Sequence, residues 1–230
     1  MSLKVLGVIP ARGGSKRFPK KNIAPLKGKP LIQYSIDAVK NSNLLTSYVF
    51  STDDAEIHST ALSLGAFAPF LRPAKLAGDN IRNSAVMIHA VEYMEDLNKI
   101  KYDYIALLQP TSPLRTSHHI DEAISLITNA KTMSLASVKG PYRKRDITLK
   151  KIVENKLTNL INKNEEFYLY NASIYIVNKE WLLKEKKFTS DNEIPYVMDD
   201  ISSVDVDEEF DLHIAESALT FKEKKHHETT

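Results

Sequence analysis

The 230-residue sequence contains no cysteine. That excludes disulfides, thiolate nucleophiles, redox pairs and Cys-ligated zinc, so any chemistry rests on oxygen and nitrogen groups or on a hard metal. Neither sign of charge prevails: 31 Lys plus Arg stand against 29 Asp plus Glu, a formal net charge of +2. There is no global positive field for a nucleic-acid polymer, and an anionic partner has to be held locally. No apolar run approaches the roughly 18 residues that span a membrane. The start, Met1 to Gly7, passes straight into a short apolar stretch without the h-region or cleavage site of a signal peptide. A soluble, cytoplasmic protein is the expectation. Glycine is also scarce, 7 in all, yet three (Gly7, Gly13, Gly14) fall within eight positions. That concentration marks the N-terminal segment for attention.

What is present is a 43% hydrophobic chain, ample for one core, with apolar runs that alternate in period. Val5–Ile9, Tyr48–Thr52 and Tyr104–Leu108 read as short buried strands. Helices are expected from Pro30 (Ile32, Ile36, Val39), from Asp53 or Asp54 to Leu64 with Gly65 as the stop, and over Met87, Ala90, Val91 and Met94. A further helix near His119–Ala130 carries Ile120, Ala123, Ile124 and Ile127 at i, i+3, i+4, i+7 spacing. Ala66–Leu71 reads as a short extended piece and Arg72–Asn83 as a loop.

Strands alternating with helices predict βαβ units, hence an α/β fold with a Rossmann-like, mostly parallel sheet. In such folds ligands lie outside the carboxyl ends of the strands, which directs attention to the loops after Ile9, Thr52, Leu108 and Val204. The alternation breaks at Lys139. From there to Glu166 eight basic residues mix with four acidic ones, which reads as an insertion with a hairpin beside the main sheet. It resumes at Asn171–Val177. A last helix carries Leu212, Ala215 and Leu219. The resulting division is a core of residues 1–139 and 193–220, a small inserted region 140–192 and a frayed tail 221–230.

The loop after the first strand, Ile9 to Asn22, holds adjacent glycines and five cationic side chains within ten residues: Arg12, Lys16, Arg17, Lys20 and Lys21. Glycine amides opening from a strand end, followed by cations, suit a polyphosphate. It is neither a Walker P-loop nor a dinucleotide fingerprint, because the required third glycine and G-K-[ST] are missing. Gln109-Pro110-Thr111-Ser112-Pro113-Leu114-Arg115 follows the third strand, a rigid two-proline loop where hydroxyls and an amide can read a polyol. Asp205 and Asp207 lie two apart on an extended segment, Ser203–Asp207, which puts both carboxylates on one face. Two hard oxygen ligands opposite a triphosphate loop describe a Mg²⁺ site that bridges to phosphate. The seven histidines make no metal cluster.

These three segments, in this order, resemble the acylneuraminate cytidylyltransferases, the CMP-sialic acid synthetases, within the sugar nucleotidyltransferases. Ile9–Asn22 is similar to I-P-A-R-x-G-S-K-x-x-x-x-K-N, Gln109–Arg115 to the Q-P-T-S-P-L-R segment, and Ser203–Leu212 to S-I-D-I-D-x-x-x-D-L. The resemblance implies a nucleotidyltransferase-type core with a small dimerisation subdomain, a homodimer, and transfer of CMP from CTP to a sialic-acid-like nonulosonic sugar acid. It assigns Arg12 and Lys21 to the triphosphate, Ser15 to its neighbourhood and Asn22 to the base or ribose, with Ala11, Gly13 and Gly14 in the same nucleotide loop. Gln109, Thr111 and Ser112 would meet the sugar acid, and Asp205 and Asp207 the Mg²⁺. Arg72-Pro73 and Asp79–Ser84 are similar to a loop that packs on the nucleobase, with Arg72 and Ser84 as its site residues; Ser84 reads equally well as a helix N-cap.

The resemblance covers most of 4–139 and 194–220 and departs over 140–170. The segment before Asn171 has no arginine, so Arg143 or Arg145 is the candidate for the acceptor carboxylate. A legionaminic- or pseudaminic-type acceptor stands beside N-acetylneuraminate. Transfer to another sugar acid or from GTP, and a non-catalytic nucleotide-binding relative, are the other readings. An NAD-linked oxidoreductase would need glycines that this sequence lacks.

Overall fold

The computed structural model describes residues 3–143, 150–153, 156–159 and 166–228. In chain order the elements are β1 (Val5–Pro10), a two-stranded turn of β2 (Pro25–Leu26) and β3 (Lys29–Pro30), α1 (Leu31–Lys40), β4 (Ser47–Ser51) and α2 (Ala55–Ser63). Then follow α3 (Asn83–Asn98), β5 (Tyr104–Leu108), α4 (Ser117–Ala130), β6 (Ser134–Arg143), β7 (Lys150–Val153) and β8 (Lys156–Asn159). The chain continues through β9 (Glu166–Asn178), α5 (Lys179–Glu185), β10 (Ile194–Met198) and α6 (Glu209–Glu228).

Six strands form one sheet in the order β10-β6-β9-β5-β1-β4. β1 pairs in parallel with β4 and β5, and β10 with β6, while β9 alone runs antiparallel to both its neighbours. The mostly parallel α/β sheet expected from the alternating pattern is therefore present. The central strands β1 and β5 are buried along nearly their whole length because both faces are covered there. Val5 and Ile9 point to the side packed by Ile32, Ile36 and Ile124 of α1 and α4, whereas Leu6 and Val8 meet Met87, Val91 and Met94 of α3.

Local signals resolve as physics requires. Asp54, not Asp53, caps α2, accepting from the amides of Glu56 and Ile57. Gly65 follows α2 with φ +73°, the left-handed geometry of a helix stop. Ala66–Leu71 runs beside β4, with the Phe50 amide donating to the Phe67 carbonyl at 2.8 Å. Thr116 caps α4 in a reciprocal box with His119.

Three expectations are corrected. Ser203–Asp207 is not a strand: the last sheet strand is β10, and residues 199–208 form a loop tied down by the Val206 amide on the Thr111 carbonyl at 2.8 Å. The expected division set 140–192 apart from the core, whereas β9 of that stretch lies inside the sheet between β5 and β6. Within that stretch β7 and β8 pair with each other apart from the main sheet. α6 continues to Glu228 through the expected tail, anchored where Lys222 Nζ donates to Ser202 Oγ at 2.6 Å. Arg143 ends β6, and Arg145 lies outside the described residues.

Candidate active site

β1, β4 and β5 are parallel, so their carboxyl ends lie along one edge of the sheet. A cleft of about 420 Å³ opens there. Its walls come from the loop after β1 (Arg12, Ser15, Lys16, Arg17, Lys21, Asn22), the 72–86 segment, the loop after β5 (Gln109, Thr111) and the 199–208 loop (Asp205, Asp207). Residues separated by almost 200 positions thus share one cavity.

The cations of the first loop are each met by an acid. Asp79 takes Arg12 at 3.1 Å and Lys16 at 2.5 Å. Asp207 takes Lys21 at 3.1 Å and Arg17 at 3.2 Å. Lys20 turns away in a left-handed backbone conformation and pairs with Glu56, so it does not line the cleft. The bonds and charge of Lys16, with a smaller share from Arg12, hold the Asp79 carboxyl below the ordinary range. Burial pushes Asp207 up, but the Lys21 and Arg17 contacts outweigh it and keep that carboxyl low as well. Asn22 is buried and donates to the Arg12 carbonyl at 2.9 Å, which fixes the loop's return.

Asp205 differs from its neighbour. Burial pushes its carboxyl up, partly opposed by a hydrogen bond from Thr111, and its Oδ1 is buried without a partner among the described groups. An orphaned carboxylate oxygen beside a second carboxylate, both facing a cluster of cations, has the donor chemistry of a hard divalent ion that keeps water and phosphate oxygens. No group of three or more His, Asp or Glu side chains suited to a metal occurs among the described residues.

The remaining site candidates divide. Arg72 lines the cleft but is itself buried against Asp53, 2.5 Å away, with its amide on the Thr52 carbonyl. Gln109 and Thr111 line it too. Ala11, Gly13, Gly14, Ser84 and Ser112 do not. Gly13 is required for another reason, since a Cβ there would come within 2.5 Å of the Asp54 carboxylate. Ser84 sits inside the first turn of α3 and is not its N-cap, which is Arg82 without a side-chain bond. Ser112 is 1% exposed. Asn83 and Val86 form the wall in Ser84's place.

Residues 6–223 match the Cytidylyltransferase family. The chain belongs to that family. As a cytidylyltransferase-family member it is an enzyme of the nucleotidyltransferase type, and it is 34% identical over 98% of its length to N-acylneuraminate cytidylyltransferase of Escherichia coli O18:K1:H7, of which it spans 54%. It is 35% identical over 79% of its length to pseudaminic acid cytidylyltransferase of Campylobacter jejuni serotype O:2, covering 74% of that protein. It is 31% identical to CMP-N,N'-diacetyllegionaminic acid synthase of Legionella pneumophila, with 96% of this chain and 99% of that one aligned. The chain thus spans about half of the first relative and nearly all of the last. Its fold is similar to that of CMP:2-keto-3-deoxy-manno-octonic acid synthetase complexed with CTP (TM-score 0.71, 15% identity, 95% and 99% of the two chains).

Several residues of this cytidylyltransferase site were not singled out in the sequence. Ala172 carried no local signal, while Asp79 stood only as the first residue of the Asp79–Ser84 resemblance and Asp53 only as an alternative helix cap. Lys16 stood within the motif resemblance without a role of its own and Arg17 only in the charge run; the distant acids that pair with them emerge with the fold.

Proposed function

We propose that this chain transfers CMP from CTP to the anomeric hydroxyl of a nonulosonic sugar acid. The hydroxyl oxygen attacks the α-phosphorus in line, the bond from that phosphorus to the bridging oxygen breaks, pyrophosphate leaves and the hydroxyl proton is released. The observation that carries this reading is one cleft in which Arg12, Lys16, Arg17 and Lys21 gather opposite Asp205 and Asp207, with Gln109 and Thr111 on the adjoining wall. Four cations suit a triphosphate, and an amide with a hydroxyl suits a polyol.

Phosphoryl transfer depends on positioning and charge neutralisation more than on covalent help. Arg12, Lys16 and Lys21 would bind the phosphate oxygens, Asn22 would hold the loop that carries them, and Gln109 and Thr111 would orient the acceptor. Asp205 and Asp207 would hold Mg²⁺, which when bound supplies positive charge at the phosphate and acidifies a coordinated hydroxyl. The three curated relatives act on different nonulosonic acids by name, which supports the acceptor class and leaves its member to assay. We further propose that the enzyme acts in the cytoplasm and as a homodimer. Among the described residues no helix is long and apolar enough to cross a membrane.

Pyrophosphate release is to be measured with CTP, GTP, UTP or ATP against N-acetylneuraminic, legionaminic, pseudaminic and Kdo acids, with and without Mg²⁺. CTP with one nonulosonic acid should give turnover. Arg12→Ala and Asp207→Ala should each lower it by about 10²–10³, the range for losing one well-placed charge contact. Near-normal release by both variants would refute the site.

A further inference from the structure

Arg115 is 2% exposed and does not line the cleft. Its Nη1 donates to the Gln109 carbonyl at 2.8 Å and to the Ser173 carbonyl at 2.9 Å, and its Nη2 to Ser35 Oγ at 2.6 Å. Ser35 Oγ in turn lies 3.4 Å from the same Gln109 carbonyl. Each of these acceptors is neutral, and among the described residues the guanidinium meets no carboxylate. Burial without a carboxylate draws it down to about 9.

A cation taken out of water without a counter-charge is costly, and an apolar side chain of similar volume would fill the same space without that penalty. Packing alone therefore does not account for an arginine here. A planar fork, however, can reach three backbone or hydroxyl points at once. Those points belong to three elements: α1 through Ser35, the end of β5 through Gln109, and β9 through Ser173. Gln109 lines the cleft, and so does Ala172, the residue before Ser173, which is held at φ +59° in β9. The nucleotide-facing cations come from the loop after β1, which Arg115 does not touch.

We infer that Arg115 is a positioning residue for the acceptor end of the cleft: from behind the wall it fixes the Gln109 and Ala172 backbone that the sugar acid meets, and leaves the triphosphate end independent. This rests on the proposed reaction. The test is steady-state kinetics of Arg115→Met and Arg115→Lys with CTP and whichever sugar acid the unaltered enzyme turns over, alongside CTP titration by calorimetry and thermal unfolding. Arg115→Met should raise KM for the sugar acid about tenfold, the loss of roughly one charged hydrogen bond, with CTP affinity within about twofold. Arg115→Lys should fall between the two. A merely structural role would shift both substrates together in step with a lower Tm, and that result would overturn the inference. Should the variants at 115 fail to fold, Ser35→Ala keeps the arginine and removes one acceptor. It should raise the sugar-acid KM about threefold with CTP binding unchanged, and equal effects on both substrates would again overturn it. Absence of turnover in the unaltered enzyme would instead refute the reaction.

Discussion

Asp205 and Asp207 are two residues apart, yet the fold places them in opposite electrostatic situations. Asp207 is paired by Lys21 and Arg17 and is held low, so it stabilises the fold above the ordinary carboxylate range and loses that contribution only as pH falls through its depressed value. Asp205 is pushed up chiefly by burial, and its ionised form is a strain on the folded protein that grows as pH rises from the ordinary aspartate value, about 3.9, through the raised one. Replacing it by asparagine keeps an acceptor for Thr111 and removes the charge. Asp205→Asn should therefore raise Tm of the ligand-free protein at pH 7 by about 2–4 °C, the shift that about 1 kcal/mol produces at this chain length. The gain should shrink toward zero near pH 4, while cytidylyl transfer is lost. Melting curves from pH 4 to 8 check both; a lower Tm at pH 7 would mean that the carboxylate is not strained. A residue held in its charged state against the fold's preference is what a metal- or substrate-binding role requires. The D-x-D spacing was legible in the sequence. The unequal environments were not, because they depend on Thr111, Lys21 and Arg17 arriving from distant loops.

At the scale of elements, the site is a set of loops at strand ends, and the legible parts are those whose function and local geometry coincide. Arg12, Gln109 and Thr111 follow strands β1 and β5 closely, so a buried apolar run ending in polar residues announces them, and Lys21 closes the same basic loop after β1. Ser84 and Ser112 belong to segments that match the family's motifs, but neither lines the cleft, and both are buried. Ser203–Asp207 mimicked a strand because its apolar and acidic residues alternate, although Val206 packs among Leu26, Leu31 and Ala215 while its amide bonds to Thr111. The 72–82 segment carries a consequence for binding. Asp79 engages Arg12 and Lys16 together, so a triphosphate has to displace it to reach those cations. Both pairs are open to solvent and individually weak. Asp79→Asn should thus tighten CTP binding about three- to tenfold at low salt, the sum of two such contacts, with the gain falling as salt is added. Calorimetry at two ionic strengths measures it. Weaker binding by the variant would show instead that Asp79 orients Arg12 for the ligand.

At the scale of the whole molecule, the alternation of apolar strands and amphipathic helices was enough to specify a mostly parallel sheet with both faces covered. The direction of β9 was not, because Asn171–Val177 reads as a buried strand whichever way it runs. Only the long pairing with β6 on one side and with β5 on the other settles its sense. That pairing carries β9 well beyond the core, and there Tyr168, Leu169 and Tyr170 are exposed, as is Val197 on the edge strand β10, beyond β6. Tyr170, Val138 and Val197 share one register row across β9, β6 and β10. Tyr170 and Val197, exposed on either side of the buried Val138 near an open sheet edge, are where the proposed homodimer would associate. If a second copy of the chain covers this row, folding and association are linked, and Tm rises with protein concentration as mass action demands. Light scattering should then give a mass of about twice 26.0 kDa at micromolar concentration. Tyr170→Lys together with Val197→Lys, which place charge on the row without touching a cleft residue, should shift the mass toward one chain and remove the concentration dependence of Tm. A dimer that persists in the double variant would put the contact on another face, and the exposed α6 residues Phe210, Ile214 and Phe221 would be the next to alter.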